Sequence, residues 1–146
     1  MGHKETERAW ANTEELVDIF TKQCRSILEF AVPAWHGAIT TVERQDIERV
    51  QKVGLLIILG DQYESYRNAL QATNLESLET RRDKLCLKFG KKAESNAKHK
   101  NWFKLRPTVP TRQEDTKYRS TVARTGRLKK SPIPHLTDLL NIHYQK

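Results

Sequence analysis

Between residues 16 and 89 the apolar side chains recur three and four positions apart, which is the spacing of amphipathic helices. Leu16, Ile19, Phe20, Ile27, Phe30 and Ala31 form one such stripe. Ile47, Val50, Gly54, Ile57 and Ile58 form a second, and Leu78, Leu85, Cys86 and Phe89 a third. The punctuation agrees with this reading. Asn12 or Thr13 caps the first helix, with Glu14 and Glu15 in the first turn where the helix dipole favours carboxylates. Pro33 removes a backbone donor and ends or kinks that helix near Val32. Thr40 and Glu43 are spaced as a capping box for the second helix, and Gly60 supplies its stop. A short helix is expected around Ser65 to Gln71 and a long one over about Leu78 to Ala93. Short connections make antiparallel neighbours the economical arrangement. The fold class is therefore all-α, a small antiparallel helical bundle over 12–103 that follows a flexible N-terminus at 1–11.

Beyond the bundle the pattern dissolves. Four of the five prolines fall within 107–134, and apolar residues there stand alone among Arg, Lys, Thr and Ser. Residues 104–133 read as a basic linker, largely extended or disordered, because they bury too little apolar area to offset ordering entropy. A short terminal helix within 134–146, about His135 to His143, docks Leu136, Leu139 and Leu140 back on the bundle.

Charge is divided as sharply as periodicity. Residues 1–80 hold 8 Lys/Arg against 13 Asp/Glu, whereas residues 81–130 hold 17 against 4, in a chain of 146 residues with a net charge of +8. The second segment attracts polyanions whatever its conformation. Arg81, Lys84, Lys88 and Lys91-Lys92 follow helical steps and form a positive ridge, which suits a nucleic-acid backbone without base reading. Its competing role is a solvated face that balances the acidic half of the chain. Trp102-Phe103, between Lys100 and Lys104, could stack on unpaired bases or anchor the loop.

Other chemistry is harder to build. The five histidines, His3, His36, His99, His135 and His143, are scattered, and neither Cys-x-x-Cys nor His-Glu-x-x-His occurs. No metal site, phosphate-cradling glycine loop or cofactor is expected. Cys24 and Cys86 read as buried thiols of a reducing compartment, so an intracellular location, nuclear or cytoplasmic, is expected. The polar start, Met1 to Arg8, is no signal peptide, and the longest apolar run, Val53 to Leu59, is too short for a membrane span. Trp35 is assigned to the core and His36 to a turn, while Tyr63 and Tyr66 pack with wet hydroxyls.

The segment Leu28-Glu29-Phe30-Ala31-Val32-Pro33-Ala34-Trp35 resembles the "LEYA-x-PVW" helix that follows the palm in reverse transcriptases of non-LTR, LINE-type, jockey-like retrotransposons. The family's "LERVQ" helix ending in glycine has its counterpart in Ile47-Glu48-Arg49-Val50-Gln51 through Gly60. The resemblance continues through Tyr63, Tyr66, Ala69-Leu70, Leu75, Leu78, Arg81-Arg82, Leu85 to Phe89, and Ser131-Pro132-Ile133-Pro134 to Leu140-Asn141. It implies a thumb-like segment that grips a template–primer backbone, with the rest of a polyprotein as neighbour. The polymerase's paired aspartates lie upstream in that family, so this chain is not expected to be an enzyme or to take a small-molecule substrate. Arg49, Lys52, Arg81, Arg82, Lys84, Lys88, Lys91, Lys92 and Trp102 are the expected nucleic-acid-facing residues, in a weak and salt-dependent association. The alternative is a helical protein-interaction module, or a retroelement relic with no selected activity. Gly54 and Gly90 stand where the family has alanine-like residues and each should cost about 1 kcal/mol in a helix.

Overall fold

The computed structural model describes residues 12–107 and 116–145. The expected flexible N-terminus at 1–11 and residues 108–115 of the basic linker lie outside the described residues. Within the described residues the chain is an all-α bundle without a named strand. Helices α1 (Thr13–Ile19), α2 (Ser26–Leu28) and α3 (Val32–Trp35) lead into the long α4 (Thr41–Leu59). After α5 (Tyr66–Ala72) come the second long helix, α6 (Leu78–Ser95), a single turn α7 (Gly126–Lys129), and α8 (Pro132–Tyr144).

Local chemistry sets most of these boundaries. The Asn12 backbone N–H donates to Glu15 Oε2 at 3.1 Å at the start of α1. Thr40 Oγ1 accepts from Glu43 N at 3.3 Å while Glu43 Oε2 accepts from Thr40 N at 2.6 Å, closing the expected capping box of α4. Ser65 and Ser77 cap α5 and α6 by accepting from Asn68 N and Thr80 N at 3.2 Å each. Gly60 ends α4 with φ 53°, a left-handed conformation that side chains resist.

The first stripe does not hold. A π-helical turn, Phe20–Arg25, interrupts α1–α2, and its wider winding breaks the three-and-four repeat. Phe20 and Arg25, five apart, point inward, whereas Ile27 and Phe30 are 76% and 79% exposed. Cys24 is exposed as well, so only Cys86 is the buried thiol the sequence suggested, its pKa pushed up to about 12 by burial. The helix stops at Leu28, before the proline. Ala31 takes a left-handed φ of 51°, and Pro33 instead opens α3, where its missing N–H costs nothing.

The buried face of α4 is likewise rotated by about one residue. Gln51, Leu55 and Leu59 are buried, while Val50 and Ile57 of the expected stripe are exposed. A polar residue leads that face because its amide Nε2 donates to Tyr66 Oη at 3.0 Å and to the Glu76 carbonyl at 2.9 Å. Leu55 and Leu59 then pack with Ala69 of α5 in one apolar cluster. A second cluster lies between α3, α6 and α8 and contains Val32, Cys86, Ala93, Leu136 and Leu140. Leu136 and Leu140 dock as expected, and Phe89, assigned to the core of α6, is 40% exposed.

The basic linker, expected to be largely extended, is extended only up to Thr125 where it is described; it then forms α7 and runs into α8, and its extended part is stitched into the second cluster. Tyr118 is buried there beside Phe103. Asn141 of α8 grips its backbone from both sides, Tyr118 N donating to Asn141 Oδ1 at 2.9 Å and Asn141 Nδ2 donating to the Tyr118 carbonyl at 3.0 Å. Glu94 of α6 collects the Tyr118 and Tyr144 hydroxyls and the Lys117 ammonium. Burial raises the Glu94 pKa, but these donors outweigh it and hold the carboxyl below its ordinary range. The Tyr118 phenol is pushed up to about 12, chiefly by burial and then by its bond to Glu94.

The two helix glycines separate on packing grounds. A Cβ at Gly54 would meet Phe20 Cε2 at 2.4 Å, so the approach of the π turn to α4 requires glycine. At Gly90 the nearest atom is Leu140 Cγ at 3.4 Å, an ordinary approach. Gly54→Ala should therefore lower stability by about 1–3 kcal/mol through overpacking. Gly90→Ala should raise it by up to about 1 kcal/mol through helix propensity. Urea unfolding followed by circular dichroism checks both, and a Gly54→Ala protein as stable as the parent would refute the close approach.

Candidate nucleic-acid interface

Helix α6 carries most of the expected interface, and its neighbours divide that interface in two. At the N-terminal end, Glu48 of α4 accepts from the backbone N–H groups of Leu78 at 3.1 Å and Glu79 at 3.3 Å, and also from the Tyr66 hydroxyl. Burial, then the bond to Glu48, holds that phenol above its ordinary range. Tyr66 thus has a partnered hydroxyl rather than a wet one. Arg81 Nε bonds Glu29 Oε1 at 3.2 Å, with Glu76 Oε1 at 3.9 Å from its guanidinium, and Lys84 pairs with Glu76. These residues line a cleft of about 570 Å³ with Arg25 and Glu29, in which cations and carboxylates neutralise one another.

Arg82 was expected to face nucleic acid, and the structure overturns this. Its side chain is 1% exposed. Lying one turn from Leu78 on the inner face of α6, it donates from Nε to His36 Nδ1 at 3.3 Å, while Nη1 and Nη2 have no protein partner. No phosphate can reach it without opening the bundle. On α4, Arg49 and Lys52 are exposed as expected, Arg49 3.6 Å from Asp46 and Lys52 over the Tyr66 ring at 5.2 Å.

The C-terminal end of α6 is different. Lys88, Lys91 and Lys92 are exposed, and among the described residues none of them makes an ion pair. Lys98, Lys100, Lys104, Lys129 and Lys130 are in the same state. Beside them lies an apolar groove of about 640 Å³ walled by Pro33, Ala34, Phe89, Trp102, Pro132 and Ile133. Trp102 is 37% exposed and its ring rests on that of His99, 4.4 Å between centroids. Phe103, next to it, is the residue that anchors the loop in the core.

The histidines are less scattered than their spacing suggests. His36 lies in the turn after α3, as expected, and is fully buried there, its Nε2 2.8 Å from Asp83 Oδ1. The His135 ring of α8 lies 5.3 Å away, and one donor atom each from His36, Asp83 and His135 falls within 4.8 Å of the others. The spacing alone would admit a cation. Arg82 argues against it: because Nε–H donates to His36 Nδ1, the imidazole proton belongs on Nε2, the atom that would have to ligate. Hydrogen bonds run from Arg82 through His36 to Asp83, while the buried Nε2 of His135 has no protein partner among the described residues.

No family model, curated protein or solved structure matches this chain. Among the described residues, no helix is long and apolar enough to cross a membrane. Sequence reasoning missed Lys104, Lys129, Lys130 and Phe89 as neighbours of the basic ridge. The first three fall in the segment read as linker, and Phe89 occupies a position with the period of a core residue.

Burial, the largest influence, lowers the His36 pKa although Asp83 opposes it, and burial together with His36 lowers that of His135. On acidification the unfolded chain therefore binds protons at both rings before the fold does. Their stabilisation is complete above about pH 6.5 and is lost as the pH falls below it. The thermal midpoint should drop between pH 7 and pH 5, and His135→Leu should remove part of that slope. A midpoint that is flat or rises toward pH 5 contradicts the assignment.

Proposed function

We propose that this chain is a non-catalytic, nucleic-acid-binding helical module of the kind that follows the palm in non-LTR retrotransposon reverse transcriptases. It holds the phosphate backbone of RNA or DNA weakly and in a salt-dependent way, beside the remainder of such a polyprotein. The observation that carries this reading is that Lys88, Lys91 and Lys92 at the end of α6 make no ion pair among the described residues, whereas Arg81 and Lys84 on the same helix are neutralised. An ion-paired cation releases no counterion from a polyanion without first breaking its pair, whereas a free lysine does so at once. The ordered series of motif resemblances along the chain supports the same reading. No catalytic role is assigned to the chain itself.

A second reading has its own support. Ile27 of α2 and Phe30 of the α2–α3 connection are each about three-quarters exposed, and large apolar side chains in that state favour a protein surface. This fits a neighbouring part of the same polyprotein, or a helical interaction module that no longer serves a polymerase. A retroelement remnant without selected activity would bind neither nucleic acid nor a protein partner.

Titration of a fluorescent RNA–DNA primer–template across salt distinguishes these readings. The parent chain should bind with a log–log salt slope of about −4 to −6, and replacing Lys88, Lys91 and Lys92 together by alanine should reduce its magnitude by about 3. Replacing Arg81 and Lys84 should change it far less. Absence of binding by a helical protein, or equal effects from the two sets, rejects the proposed interface.

A further inference from the structure

We infer that the apolar groove beside the free lysines is a seat for unpaired nucleobases, so that the module engages single-stranded nucleic acid at Phe89 and Trp102 while its lysines hold the flanking phosphates. This deepens the nucleic-acid reading and rests on it. Three observations carry it. Phe89 and Trp102 are large, half-exposed aromatics on the walls of one groove, and His99 backs the indole. The groove surface is almost wholly apolar, with Ser131 its one polar residue, so it offers area for stacking and little to read a base edge. Aromatic platforms of this kind are indifferent to sequence, because every base has a π-face.

The third observation is charge. Lys88 and Lys92 flank Phe89 on α6, Lys100 and Lys104 flank Trp102, and Lys129 and Lys130 precede Ser131. All six are exposed and, among the described residues, unpaired; no acidic side chain lines the groove. An apolar floor bordered by free cations complements a stacked base with its phosphates. The frame is also rigid before anything binds. Pro33 and Pro132 fix the backbone of two walls, and Ala31 keeps a left-handed φ of 51° where the chain turns into the groove. A preformed site loses less entropy on binding.

The full chain would be titrated at one salt concentration with a fluorescent oligo-dT, a blunt duplex of equal length, and a labelled Glu-rich amphipathic helical peptide. Parent, Trp102→Ala, Phe89→Ala and Trp102→Phe proteins would be compared, with circular dichroism confirming that each is helical. Trp102→Ala and Phe89→Ala should weaken oligo-dT binding about 10-fold or more. They should leave duplex affinity unchanged, and Trp102→Phe should retain most of the oligo-dT affinity. Equal losses on both nucleic acids, or no loss on either, overturn the groove while leaving the lysine interface intact. Failure to bind both nucleic acids overturns the lysine interface as well. Tighter, Trp102-dependent binding of the peptide would assign the groove to an acidic protein partner instead.

Discussion

A guanidinium sealed inside the bundle is the constraint around which the rest is arranged. Burying a charge costs several kcal/mol unless its field is answered by neighbours, and Arg82 has carboxylates near it without a direct ion pair. Glu48 and Glu79 supply opposing charge from one side and Asp83 from another, while His36 accepts its Nε–H. Each partner belongs to a position that matters to the fold: Glu48 caps α6, His36 ends α3, and Asp83 holds the His36 ring. The apolar clusters on either side provide burial, but they would tolerate rotation of α6 about its axis. The polar relay between them does not, and so it sets the register of α3, α4 and α6 together.

That arrangement also explains why the positive ridge is not uniform. Carboxylates of the acidic half, Glu29, Glu76 and Glu79, are drawn to α6 and its neighbours, where they answer Arg81, Lys84 and Arg44. The internal balance inferred from the charge pattern is present, but on one stretch of the helix alone. Internal neutralisation occupies the first turns, and the free lysines begin at Lys88. The outward potential is thereby displaced toward the end of α6 and the loop after it, which is where the apolar groove opens.

Much of this architecture was legible because it is written in local chemistry. The Thr40–Glu43 box, the caps at Ser65 and Asn12, the stop at Gly60 and the docking stripe of α8 depend on residues close in sequence. What escaped depends on partners far away. Gln51 reads as a break in an apolar stripe until Tyr66 and Glu76 supply its bonds. Tyr118 reads as a lone aromatic in a polar tract until Asn141 and Glu94 receive it. The π turn at Phe20–Arg25 carries no compositional mark, and it misdirected the whole first stripe. Of the expected interface, Lys88, Lys91, Lys92 and Trp102 lie together at the C-terminal end of α6, but helical spacing could not show that Arg82 faces the opposite way.

The docking of α8 against α6 has a temporal side. The α4–α5 cluster joins residues close in the chain, so it can form as soon as α5 exists. The inner face of α6 at Cys86, Gly90 and Ala93 is covered by Leu136 and Leu140, some fifty residues later. During synthesis the basic helix therefore leaves the ribosome with that face open and remains so until α8 is made. Closing such a long loop is slower than forming local contacts, and exposed apolar surface in the interval favours association with other chains. A ribosome stalled within 104–133 would present a protein that is helical, strongly basic and open along one side, surrounded by RNA.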